Sequence, residues 1–191
     1  MKLNLLLTGI TVFITSFAFS QFSIGTGAAI PISSYNKLES GAAKIGYQIT
    51  ANWDKSINNF YGISTGILLG GNPIEHDSQN FPIGQWRFSM VEVGAFIEPY
   101  ENIKLKGLLS AGIYGTPEIE YINDSDLSGG RITLSKFSPG LDLRIEYSPA
   151  KYFIGINMLY SRPNIDFSEY NNNQVDIKSI TNIGLLVGYI F

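Results

Sequence analysis

The stretch Tyr152-Phe153-Ile154-Gly155-Ile156-Asn157-Met158-Leu159-Tyr160-Ser161 decides the fold. Successive side chains of a β-strand point to opposite faces. Tyr152, Ile154, Ile156, Met158 and Tyr160 therefore share one face, and Phe153, Gly155, Asn157, Leu159 and Ser161 share the other. Alternation sustained this long predicts a strand between two unlike surroundings. The last residues repeat it, with Ile183, Leu185, Val187, Tyr189 and Phe191 set against Asn182, Gly184, Leu186, Gly188 and Ile190. From Phe137 to Tyr147 the contrast is sharpest: Phe137, Pro139, Leu141, Leu143, Ile145 and Tyr147 face one way, and Ser138, Gly140, Asp142, Arg144 and Glu146 the other.

Extending this reading outward predicts eight strands, at 22–32, 43–53, 60–70, 85–98, 103–115, 132–147, 152–162 and 178–191. They are long for globular strands, which average five or six residues, and match the nine to eleven tilted residues that cross a bilayer. The connections at 54–59, 99–102 and 148–151 are short, whereas those at 33–42, 71–84, 116–131 and 163–177 are long and polar. Short turns at one end and long loops at the other, with an even strand number, describe a transmembrane barrel. Aromatics fall near the strand ends. Phe22, Trp53, Phe60, Tyr61, Tyr100, Tyr147, Tyr152 and Phe191 lie toward the short turns, and Trp86, Phe88, Tyr114, Phe137 and Tyr160 toward the long loops. Two such sets predict belts at the two membrane–water interfaces.

Composition agrees. The chain has 191 residues, 20 glycines, no cysteine, 15% charged residues and a mean hydropathy of +0.09. That hydropathy excludes a bundle of membrane helices, and the absence of cysteine excludes a disulfide scaffold or thiol nucleophile. A net charge of −3 gives no electrostatic case for nucleic acid. Met1-Lys2, the apolar stretch from Leu3 to Phe19 and the ending Ala18-Phe19-Ser20 read as a cleaved signal peptide over residues 1–20, with the mature domain at 21–191.

The signal peptide, the eight strands and the closing Ile183-Gly184-Leu185-Leu186-Val187-Gly188-Tyr189-Ile190-Phe191 resemble the small outer-membrane β-barrel family of Gram-negative bacteria. The resemblance implies an all-β, eight-stranded antiparallel up-and-down barrel in the outer membrane, surrounded by its lipid. It also implies that Val187, Tyr189 and Phe191 serve as the C-terminal signal read by the barrel-assembly machinery.

An eight-stranded barrel has an interior just wide enough to be filled by side chains. The alternation sends Lys44, Glu92, Lys104, Lys106, Asp142, Arg144 and Glu146 inward, with Gln48, Asn52, Ser64, Ser110 and many glycines. Enclosed charges must be paired or wet, so these seven are expected to form a network that plugs the lumen. Pro139 and Pro31 are expected near the outer rim, Pro139 at a bulge.

The resulting functional reading is a structural or interaction barrel acting through its long loops, with no catalytic, cofactor-binding or metal residue assigned. The alternatives are a small channel or transporter, a lipid-modifying rim enzyme using His76, and a soluble lipocalin-like barrel. His76 stands in a long loop beside Glu75, Asp77 and Ser78, where a solvated surface role is expected. Asn123-Asp124-Ser125-Asp126 lacks calcium-loop spacing and reads as a solvated acidic turn. Nothing in the loops selects an extracellular partner.

Overall fold

The structure is a computed structural model that describes residues 20–32, 42–76, 79–122, 129–163, 165–166, 176–177 and 179–191. Eight strands form its wall: β1 (Ser20–Pro31), β2 (Gly46–Ser56), β3 (Tyr61–His76), β4 (Gln79–Tyr100), β5 (Ile103–Ile122), β6 (Gly129–Tyr147), β7 (Tyr152–Ser161) and β8 (Ile180–Ile190). Each pairs antiparallel with its sequence neighbours, and β8 returns to pair with β1, so the sheet closes.

The register fixes the size of the barrel. From Gln21 the ladder runs through Asp54, Ser64, Gly94, Leu108, Asp142, Leu159 and Asn182, and returns to β1 at Pro31, ten residues further on. A ten-residue stagger over eight strands tilts each strand by about 40°. An 11-residue strand such as β2 then rises about 28 Å, close to the hydrocarbon thickness of a bilayer.

The alternation sorts cleanly into outside and inside. Ile154, Ile156 and Met158 are exposed on β7, as are Leu143 and Ile145 on β6, Val91 and Val93 on β4, and Ile67 and Leu69 on β3. These belong to a continuous outward apolar belt, the surface such a barrel turns to lipid. The inward set includes Gln48, Thr50, Asn52, Glu92, Asp142, Arg144 and Asn157, all buried.

Two expectations need correcting. First, the connections at 71–84 and 116–131 are largely strand. β3 has 16 residues, β4 has 22, β5 has 20 and β6 has 19, whereas β1, β2, β7 and β8 have 10 to 12. Polar strand above the belt can still pair with its neighbour, so one side of the barrel rises well beyond the other. Second, the aromatics at the long-connection end do not all face lipid. Phe137 is exposed, but Trp86, Phe88 and Tyr114 are buried inside.

The prolines are explained by edges rather than by a bulge. The Arg162 N–H donates to the Pro139 carbonyl at 3.0 Å, so Pro139 turns its main chain toward β7. The β6–β7 ladder begins only at Gly140, and Pro139 pairs in register with Ala111 on its other side. Pro31 likewise lies beyond the last β1–β2 pair, Ala29 with Gly46, so each proline stands at the end of a ladder, and Pro139 forgoes only the terminal hydrogen bond it would have donated toward Arg162.

Inward glycines make room for large neighbours. A Cβ at Gly184 would collide with the Gln48 and Asn157 side chains, one at Gly188 with Phe153, and one at Gly62 with Phe96. At outward Gly107 a Cβ would meet only Leu143 Cδ2, at 4.0 Å. Gly184→Ala should therefore destabilise the refolded protein by about 1–3 kcal/mol in urea titration. Gly107→Ala should be neutral or stabilise by up to about 1 kcal/mol, since glycine weakens a strand interior.

Candidate functional site

The lumen concentrates the described chemistry, in three layers. At its centre the Arg144 guanidinium projects from β6. Nε donates to Asp142 Oδ2 at 2.7 Å, and Nη1 donates to Thr50 Oγ1 at 2.9 Å and Asn52 Oδ1 at 3.0 Å. Nη2 engages Asp142 Oδ2 at 2.6 Å and also Glu92. Four hydrogen bonds and two ion-pair contacts thus surround the guanidinium, and pairing of this kind is the condition under which a buried arginine is tolerated. Asn157 Nδ2 donates to Asp142 Oδ1 at 3.1 Å, and Gln48 Nε2 to Asn157 Oδ1 at 2.8 Å, which carries the network to β7 and β2.

Toward the short-turn end lies a second cluster. Asp54 Oδ2 is 2.9 Å from both Lys104 Nζ and Lys106 Nζ, and Asp54 Oδ1 accepts from Ser64 at 2.6 Å. Lys106 also meets Glu146 Oε2 at 3.0 Å, and Lys104 meets Glu98 Oε1 at 3.5 Å. The Lys104 ammonium sits 4.5 Å over the Phe96 ring centroid, an attraction that strengthens where water is excluded. Below this cluster a cavity of about 410 Å³ opens among Gln21, Glu98, Asn102, Lys104, Ser148 and Lys151.

Toward the long-connection end the lumen carries an aromatic layer beside the buried polar side chains Asn72, Ser138, Ser161 and Asn182. Tyr114 stacks on Phe88 at 5.7 Å and tilts against Trp86 at 6.1 Å, with Leu68, Met90, Leu159 and Ile180 buried on the same inward faces.

Of the seven charged residues expected inside, the structure brings six together and leaves one out. Glu92, Lys104, Lys106, Asp142, Arg144 and Glu146 are buried in the lumen. Lys44 is exposed, because it precedes β2 at the rim, where its N–H donates to Pro73. Asp54 is the member that sequence reading missed. It continues the inward series Gln48, Thr50, Asn52 by one more step, a signal lost when the strand is ended at residue 53. Among the described residues the lumen therefore buries four acids and three bases, where three acids and four bases were expected. His76's ring and the Asn123–Asp126 turn lie outside the described side chains and residues, so the structure does not place them. Among the described residues no group of three His, Cys, Asp or Glu is arranged to hold a metal ion.

Val187 and Phe191 are exposed on the lipid face, with Tyr189 between them 5.3 Å from Tyr152 and 5.0 Å from Phe191. No protein-family model matches the sequence, and neither does any curated protein. Solved structures do match the fold. The attachment invasion locus protein Ail of Yersinia pestis, in complex with the heparin analogue sucrose octasulfate, superposes with a TM-score of 0.60 at 21% identity, covering 90% of this chain and 97% of that one. Neisserial surface protein A gives a TM-score of 0.55 at 9% identity, covering 90% and 97%. A major outer membrane protein of Thermus thermophilus gives 0.60 at 10% identity, covering 90% and 99%.

The fold is that of the small outer-membrane β-barrels. In such a barrel the apolar belt meets outer-membrane lipid, the short turns face the periplasm and the long connections face outward. The charged clusters of this outer-membrane barrel thus lie at mid-membrane and on the periplasmic side, beneath an aromatic layer on the outer side.

Removing one partner of a buried ion pair strands the other. Arg144→Met should cost about 3–5 kcal/mol in unfolding free energy, because it leaves both Glu92 and Asp142 uncompensated. Glu92→Gln should cost less, and the double variant should lose about 1–3 kcal/mol less than the two single losses combined. Strict additivity would contradict the pairing.

Proposed function

We propose that this protein is an interaction barrel: a membrane-anchored wall whose lumen is closed by its own side chains and whose outward strands meet partners outside the cell. The observation that carries the first half is the succession of three side-chain layers across the lumen above the cavity at its short-turn end. The Asp54–Lys104–Lys106–Glu146 cluster, the Arg144 centre and the Trp86–Phe88–Tyr114 layer succeed one another along its axis. A path for hydrated ions would have to part all three, which argues for a plug over a channel.

The second half rests on the tall side of the barrel. β6 runs from Gly129, yet its ladder with β7 begins at Gly140, so among the described residues no strand covers that flank of Gly129–Ser138. Pro139 turns its main chain toward this flank, and alternate residues share that direction, so Phe137, Ser135, Thr133 and Arg131 present N–H and C=O groups there. Unpaired strand edges of this kind accept an extended segment by main-chain hydrogen bonding. Catalysis is no part of this reading. Biogenesis is, with Val187, Tyr189 and Phe191 offered to the barrel-assembly machinery as an exposed aromatic strip.

Two measurements test it. Planar-bilayer recordings of the refolded protein should show no steady conductance; regular openings would favour the channel reading. Ser135→Pro removes one N–H from the free flank of β6 and none from its ladder with β5. It should weaken adhesion of expressing cells to host surfaces or matrix about tenfold, with unchanged heat-modifiable gel mobility. Full adhesion by that variant would count against the edge as the contact surface.

A further inference from the structure

We propose that Gln48 and Asn157, together with Phe153, form an internal latch that holds the β1–β8 seam shut by reaching across it from the strands on either side. Every other junction of the wall joins strands consecutive in sequence, whereas β1 and β8 meet only through their ladder. Inside the lumen these two strands have little with which to grip each other. The inward face of β1 carries Ser23, Gly25, Gly27 and Ala29; Gly25 stands opposite Gly188, and Ala29 opposite Gly184. Leu186, opposite Gly27, is the one large inward side chain between positions 184 and 188.

The neighbouring strands supply what the seam lacks. Phe153 of β7 is buried and pairs in register with Gly188. A Cβ at Gly188 would strike its ring, and one at Gly25 would lie 2.6 Å from Phe153 Cζ. The ring therefore passes from β7 over β8 onto β1. Closer to the membrane centre, Gln48 of β2 and Asn157 of β7 meet. Gln48 Nε2 donates to Asn157 Oδ1 at 2.8 Å and to the Ala28 carbonyl at 3.2 Å. A Cβ at Gly184 would strike both side chains, so their hydrogen bond lies over the seam itself. One bond thus ties β2 to β7 and bypasses the two strands between them. Asn157 Nδ2 donates in turn to Asp142, which anchors the latch to the Arg144 centre.

Barrels open locally where few contacts hold them. Without the latch, Leu186, the Phe153 ring and the ladder alone would keep the seam closed from inside. Gln48 and Asn157 are therefore positioning residues for closure, and their loss should loosen this junction before the others.

The test is amide-resolved hydrogen exchange of the full chain refolded in micelles. The reporters are the Ile24, Thr26, Ala28, Leu185 and Val187 amides. They face across the seam because the Phe191 N–H donates to Phe22 O there and alternate residues share that direction. Gln48→Met should speed their exchange about tenfold, with the amides of Ile63–Leu69 on β3 unchanged. Asn157→Leu should act alike, and the double variant should open the seam no further than the faster single, since both remove the same bond. Equal acceleration on β3 and at the seam would reveal a general loss of stability and overturn the latch. Unchanged seam exchange, or effects that multiply in the double variant, would overturn it too. Should Asn157→Leu fail to refold, Gln48→Met decides alone, because it keeps the Asn157 contact with Asp142.

Discussion

Everything inside this barrel is arranged around one guanidinium. Eight strands staggered by ten residues leave no room for bulk water around a buried arginine, so its donors must be met by protein. Arg144 meets this demand with Asp142, Glu92, Thr50 and Asn52, drawn from β6, β4 and β2. Three separate parts of the wall are thereby tied across the lumen rather than only along the ladder. The ties fix which residues can stand on those strands: acceptors opposite the guanidinium, and glycines wherever a side chain must pass. Gly66 is one such place, where a Cβ would meet Asn52 Oδ1.

The lumen is graded along its axis, and the grading has a physical logic. Ammonium groups with several partners sit near the periplasmic mouth, where water can still reach Glu98, whose side chain is 38% exposed. The fully enclosed ion group lies deeper, at zero side-chain exposure for Arg144, Glu92 and Asp142. Beyond it the uncharged rings of Trp86, Phe88 and Tyr114 share the cross-section with neutral polar side chains such as Asn72 and Ser138. This order places the greatest desolvation cost at Arg144, which is met by four hydrogen bonds and two carboxylates.

The wall is asymmetric in height. The belt needs only about ten residues per strand, and β7 and β8 stop close to that length. β3 to β6 continue as paired sheet, so the outward part of the molecule is an extension of the membrane-embedded wall. Among the described residues, pairing on the β7 side of β6 begins only at Gly140.

Much of this was legible in the residues alone. A period of two with apolar residues on one side and Asp142, Arg144 and Glu146 on the other already requires a sheet between two unlike surroundings, and the strand lengths and C-terminal Phe191 favour lipid outside and a polar interior over a soluble barrel faced the other way. Six of the lumen charges followed from the same parity. What parity cannot give is depth or partner. Lys44 and Asp54 stand on comparable alternating positions, yet one is at the rim and exposed while the other is enclosed, since only the stagger of neighbouring strands sets how far along the axis a residue lies. Likewise Trp86, Phe88 and Tyr114 look like belt residues by composition, but their parity on long strands turns them inward. The sequence by itself determined the period, the wall and the two chemistries of its faces. The tertiary structure decided the register, and with it which acids meet Arg144, which lysines share Asp54, and where, among the described residues, the pairing of β6 with β7 begins.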